Sequence, residues 1–127
     1  MKDILLILGL ILIVSCEQKF KLDPNINPFF QEWNTQFEVP PFLDIKDEHY
    51  MPAFKKGMEE NLKEIDIIVD NTQEPTFENT IEELERSGKL LGKVQRVFSN
   101  LASSNTNSQL QELQRDLSPM LSAHYDK

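Results

Sequence analysis

The chain has 127 residues, with 21 acidic against 13 basic side chains and a net charge of −8, a length that suits one small domain. A surface of that sign repels phosphate backbones, which argues against nucleic acid as a partner. The single cysteine, Cys16, excludes an internal disulfide and a cysteine-based zinc cage.

Met1 and Lys2 give a short basic start, weakened by Asp3, and Ile4 to Val14 follows as an apolar run broken only by Gly9. A bilayer-spanning helix needs about 20 apolar residues, so this run has the length of a signal-peptide core rather than of an anchor. Ile13-Val14-Ser15-Cys16 then resembles the bacterial lipoprotein signal, in which a small residue precedes the cysteine that takes a diacylglyceryl group. Each methylene buried in the membrane contributes about 0.8 kcal/mol, and two or more acyl chains suffice for stable anchoring. The expectation is a signal peptide over residues 1–15, lipid attachment at Cys16, and a protein held at the bacterial envelope, on the periplasmic side or in an outer membrane, rather than in the cytoplasm. An ordinary secretory signal or an uncleaved tether is the plainer alternative.

From Glu17 to Pro41 the prolines Pro24, Pro28, Pro40 and Pro41 forbid a long helix, so residues 16–41 read as a tether and an extended aromatic segment. Phe29, Phe30, Trp33 and Phe37 are too aromatic for a pure linker and are expected to dock on a larger body. Ligand stacking is the sharper alternative. Between Asp47 and Val69, the residues Tyr50, Ala53, Phe54, Met58, Leu62, Ile65 and Ile68 recur by threes and fours, which predicts an amphipathic helix with Pro52 in its first turn. Asp70 to Pro75 reads as a turn.

A second helix is expected from Thr76 or Asn79, the latter followed by Glu82 in a capping-box pattern. Its stripe is Ile81, Leu84, Leu91, Val94, Phe98 and Leu101, and Gly88 and Gly92, four apart, suggest a flat strip for a close helix contact. Ser103 to Asn107 breaks the pattern. A third helix from Ser108 carries Leu110, Leu113, Leu117 and Leu121, with Pro119 expected to kink or restart it. The fold class is all-α: an antiparallel helical array over residues 42–127. His49 and His124 lie far apart, and neither has a second histidine or cysteine at the i+3 or i+4 spacing of a metal site, so both read as packing or surface residues. No catalytic or metal-ligating residue is assigned.

Pro41-Phe42-Leu43-Asp44-Ile45-Lys46-Asp47-Glu48-His49-Tyr50-Met51-Pro52-Ala53-Phe54 resembles the amino-terminal region of the thimet oligopeptidase and oligopeptidase A family, most of all its bacterial peptidyl-dipeptidase branch. Pro75-Thr76-Phe77-Glu78-Asn79-Thr80-Ile81, Leu84-Glu85-Arg86-Ser87-Gly88, Val97-Phe98-Ser99-Asn100-Leu101 and Ser104-Asn105-Thr106-Asn107 follow in the same order and at similar intervals. Asn27-Pro28-Phe29-Phe30 is similar to the start of that branch.

The resemblance implies a mostly helical, two-lobed zinc metallopeptidase whose channel admits short peptides. Its metal would sit on a His-Glu-x-x-His helix and a later glutamate, with the intervening glutamate activating the zinc-bound water. None of those residues is present here. The chain is therefore expected to be the inactive, zinc-free amino-terminal portion, forming channel wall and completed by a missing carboxyl-terminal portion of the same polypeptide. The family helix would continue past Lys127, which gives the expectation of a truncated sequence or an interrupted reading frame. The alternative is a small helical lipoprotein acting as an interaction module without enzymatic activity.

Overall fold

The computed structural model describes residues 22–127. The apolar run, Ser15 and Cys16 lie outside the described residues. Among those described the chain is helical with no strand, as the periodicity requires. Helix α1 spans Tyr50–Val69, led in by a 3-10 turn at Asp47–His49. A return segment follows, π-helical over Phe77–Glu82 and α-helical over Glu83–Arg86 (α2), then α3 at Lys89–Ser104 and α4 at Ser108–Tyr125. No described helix is long and apolar enough to cross a membrane.

Successive long helices run in opposite directions. Tyr50 and Phe54 of α1 meet Phe98 of α3 with ring centroids 5.1 and 5.5 Å apart, while Gly57, further along α1, faces Leu91, earlier on α3. Helix α4 returns parallel to α1: Asn107, at its start, donates to Asp47 Oδ2 at 3.0 Å, and His124, at its end, reaches Asn61. Asn107 also caps α4 by accepting from the Leu110 amide at 2.8 Å. The core between the helices is Phe29, Ile45, Tyr50, Ala53, Phe54, Met58, Leu91, Val94, Val97, Phe98, Leu110 and Leu117. Burying such side chains away from water is the main stabilising force available to the fold.

Four local expectations need correction. The second helix is not continuous. It breaks at Ser87–Gly88, where Gly88 adopts φ 67° and ψ 22°, a left-handed conformation that only glycine takes cheaply. The cap on the return segment belongs to Thr76 and Asn79 rather than Asn79 and Glu82: Asn79 N donates to Thr76 Oγ1 at 3.1 Å, and Thr76 N to Asn79 Oδ1 at 2.8 Å.

The close helix contact falls at Gly57 rather than along Gly88 and Gly92. A Cβ on Gly57 would lie 2.9 Å from the Leu91 backbone, whereas one on Gly92 would meet only the mobile end of Arg96. Helix α4, finally, runs through Pro119 without a restart. That proline is on the exposed face, where the Arg115 carbonyl can turn to water in place of the missing amide.

Candidate functional site

The leading segment ahead of α1 is built onto the helices rather than trailing from them. Asn27 Oδ1 accepts from the Phe29 amide at 3.0 Å, and Asn27 Nδ2 donates to the His49 carbonyl at 2.8 Å, which ties a 3-10 turn at Pro28–Phe30 to the start of α1. Phe29 is 1% exposed and packs 5.4 Å from the Tyr50 ring. Trp33 donates from Nε1 to the Pro28 carbonyl at 2.8 Å and tilts against Phe29 at 5.9 Å. Two of the aromatic side chains expected to dock on a larger body thus dock on this chain's own helices. Phe30, Phe37 and Phe42 stay exposed.

Lys93 of α3 pins this arrangement. Its Nζ donates to the carbonyls of Phe29 at 3.1 Å and Gln31 at 2.8 Å, and sits 3.9 Å from the Trp33 ring centre. Charge-assisted hydrogen bonds and a cation over an indole face each favour the ammonium form. Burial pulls the Lys93 pKa down, opposed by the nearby Glu32 charge.

Between the leading segment and α3 lies an open groove of about 990 Å³. Trp33, Asn34, Glu38, Pro40 and Phe42 line one side, and Lys89, Gly92, Lys93, Arg96 and Asn100 the other. Ser87 and Gly88, just ahead of α3, also line it. The lining carries three cations (Lys89, Lys93, Arg96), three carboxylates (Glu32, Glu38, Glu85), two amides and two aromatic rings. Such a lining can meet both ends of a zwitterion, hydrogen-bond a peptide backbone through Asn34 and Asn100, and hold apolar side chains against Trp33 and Phe42. It holds no nucleophile–base pair.

Among the described residues no group of three His, Cys, Asp or Glu side chains is placed to hold a metal. The two histidines do not fit a zinc site. His49 Nδ1 accepts from the Lys46 amide at 3.0 Å, capping the turn before α1, while His124 is buried against Asn61, roughly 18 Å further along α1 at 1.5 Å per residue. Cys16, the expected lipid-attachment residue, lies outside the described residues.

Sequence reasoning missed Lys93 and Asn61. Lys93 has no periodic signal, since its partners are carbonyls and an indole sixty or more positions away. Asn61 had one: it stands four residues after Gly57 on the face that Tyr50, Ala53, Phe54 and Met58 bury.

No family model matches the sequence. Dipeptidyl carboxypeptidase of Escherichia coli (strain K12) is 40% identical over 97 residues, which is 76% of this chain and 14% of that protein. The protein of the same name from Salmonella typhimurium (strain LT2) is 39% identical over 99 residues, 78% of this chain and 15% of its own. Oligopeptidase A of Escherichia coli (strain K12) is 30% identical over 90 residues, 71% of this chain and 13% of that protein. The chain spans about one seventh of the length of the curated relatives it matches, 13% to 15%. All three relatives are peptidases by name, and with its helical fold and ordered sequence blocks this chain matches a fragment of a thimet oligopeptidase family peptidase.

Proposed function

We propose that this chain is the amino-terminal, non-catalytic part of an envelope-anchored zinc peptidase acting on short peptides, and that its groove shapes the path of an extended peptide. The observation that carries this reading is the match of 76% of the chain to 14% of a dipeptidyl carboxypeptidase, which supports taking the helices as one part, a channel wall, of a larger enzyme. The mixed-charge lining suits a substrate with both an amine and a carboxylate, where a single-sign groove would repel one end. Metal binding and water activation would belong to a His-Glu-x-x-His helix further along the same polypeptide. Lipidated Cys16 would hold the enzyme at the bacterial envelope, and the rest of the polypeptide would complete the channel.

Reading the native gene beyond codon 127 and assaying its full product tests this. The expected result is a downstream His-Glu-x-x-His motif and chelator-sensitive peptide cleavage in the membrane fraction, released to the soluble fraction by Cys16→Ser. A native stop codon directly after Lys127 overturns the reading.

A further inference from the structure

Residues 37–43 of the leading segment bring six apolar residues and a single charge, Glu38, into one loop. Four of the apolar side chains face away from the helices: Leu43 is 99%, Phe37 88%, Val39 47% and Phe42 42% exposed. The fold itself holds them there. Ile45 roots the loop in the core, and Thr35 Oγ1 donates to the Val39 carbonyl at 2.6 Å across its base. Phe37 and Glu38 take left-handed backbone, φ 58° and 55°, a strain for which the Phe37 ring gains no contact within the chain.

The loop backbone is suited to an apolar medium. Taking a loop out of water is costly chiefly because its polar backbone groups lose their partners. Here Glu38 N donates to the Thr35 carbonyl at 3.1 Å, Val39 N to Gln36 at 3.4 Å and Phe42 N to Pro40 at 2.8 Å, while Asp44 N and Ile45 N share the Pro41 carbonyl at 2.9 and 3.2 Å. Pro40 and Pro41 have no amide hydrogen to satisfy. Between Glu38 and Ile45 only the Leu43 amide lacks a backbone acceptor.

Lipid fits this loop better than protein does, on the reading above that Cys16 is acylated. Five residues, Glu17 to Lys21, separate Cys16 from the buried Leu22, and no conformation of them reaches beyond about 22 Å. A body tethered so closely meets the bilayer at high local concentration, so a patch too small to bind lipid by itself can insert as a second signal. The other exposed apolar patch, around Ile67, is flanked by Glu64, Glu78, Glu82 and Glu83, which a bilayer would strip of water. A chain of net charge −8 is repelled by anionic lipid, so the matching surface is zwitterionic.

We propose that residues 37–43 form a membrane-insertion loop, with Phe37, Val39, Phe42 and Leu43 entering the headgroup–acyl boundary of a zwitterionic bilayer. Insertion fixes which side of the body faces the membrane. Glu38, Pro40 and Phe42 also line the groove, which would therefore open at the membrane surface.

The chain expressed in bacteria with its own leader, purified and placed with phosphatidylcholine nanodiscs, tests this. Its mass reports separately whether Cys16 is acylated. A nitroxide at the top of the lipid acyl chain should broaden the Val39 and Leu43 methyl resonances and spare those of Ile67 and Val69. Leu43→Asp, at a side chain almost wholly in solvent, should reduce the Val39 broadening roughly threefold or more. Methyls at 39 and 43 broadened no more than those at 67 and 69, or unchanged broadening in Leu43→Asp, overturn the insertion loop. So does shielding that grows with the protein-to-lipid ratio, which assigns the loop to a second copy, or loss of the broadening in the full gene product, which assigns it to the remaining polypeptide. Broadening with an unacylated Cys16 leaves the loop standing and removes the lipid anchor alone.

Discussion

Tyr50 shows how a residue can be central to packing and still carry an uncompensated group. Its ring touches Phe29 and Phe98, it is wholly buried, and its hydroxyl has no hydrogen-bond partner. An orphaned buried hydroxyl costs about 1–3 kcal/mol, so Tyr50→Phe is expected to match or exceed the unaltered chain, by up to about 1 kcal/mol in denaturant unfolding. A loss above about 1.5 kcal/mol would instead mean that the hydroxyl is satisfied, for example by an internal water. Burial, and secondarily the Asp47 carboxylate, push this hydroxyl from 10.0 up to about 12. The unfolded chain ionises first, so stability present below pH 10.0 falls with rising pH until about 12, and Tyr50→Phe should remove that alkaline slope.

At the scale of elements, α1 and α4 were legible because their apolar residues repeat at the helical period and their ends carry local signals. The start of α4 at Ser108 and its Leu110, Leu117 stripe are where the spacing put them, while the cap that Asn107 supplies is a finding of the structure. The return segment was not legible, because what breaks it is tertiary. Gly88 turns left-handed over Asn61, and its amide is held by Glu64 from another helix. The Gly57 approach to Leu91 was hidden for the same reason, since a glycine inside a helical pattern does not reveal which neighbour it admits. Gly57→Ala gains up to about 1 kcal/mol of helix propensity but drives a methyl into backbone that cannot rotate away, an overpacking cost of about 1–3 kcal/mol. A net loss of stability is expected in denaturant unfolding, with α1–α3 amides losing protection first. A gain would place the two helices further apart than described.

For the whole molecule, the ordered blocks from Pro41 to Asn107 announced the peptidase relationship that the curated relatives bear out, and the periodicity announced an all-α chain. Composition could not show how the leading segment folds back, since Phe29 and Trp33 are placed by Lys93 and Tyr50 across long sequence distances. Two apolar surfaces remain uncovered: Leu43 is 99% and Phe37 88% exposed on the leading segment, while Ile67, Val69, Phe77 and Leu84 project from the far end of α1 and the return segment. Phe37 and Glu38 also hold positive φ, 58° and 55°, at a cost of roughly 1–2 kcal/mol per residue that no contact of the Phe37 ring offsets.

Helices with uncovered faces of this size suit a part of a larger enzyme better than a self-contained module. The most direct measurement is sedimentation velocity combined with thermal melting of the chain by itself. Self-association at micromolar concentration and a broad, shallow melt are expected. A monomer that melts in one sharp, reversible transition would contradict the account.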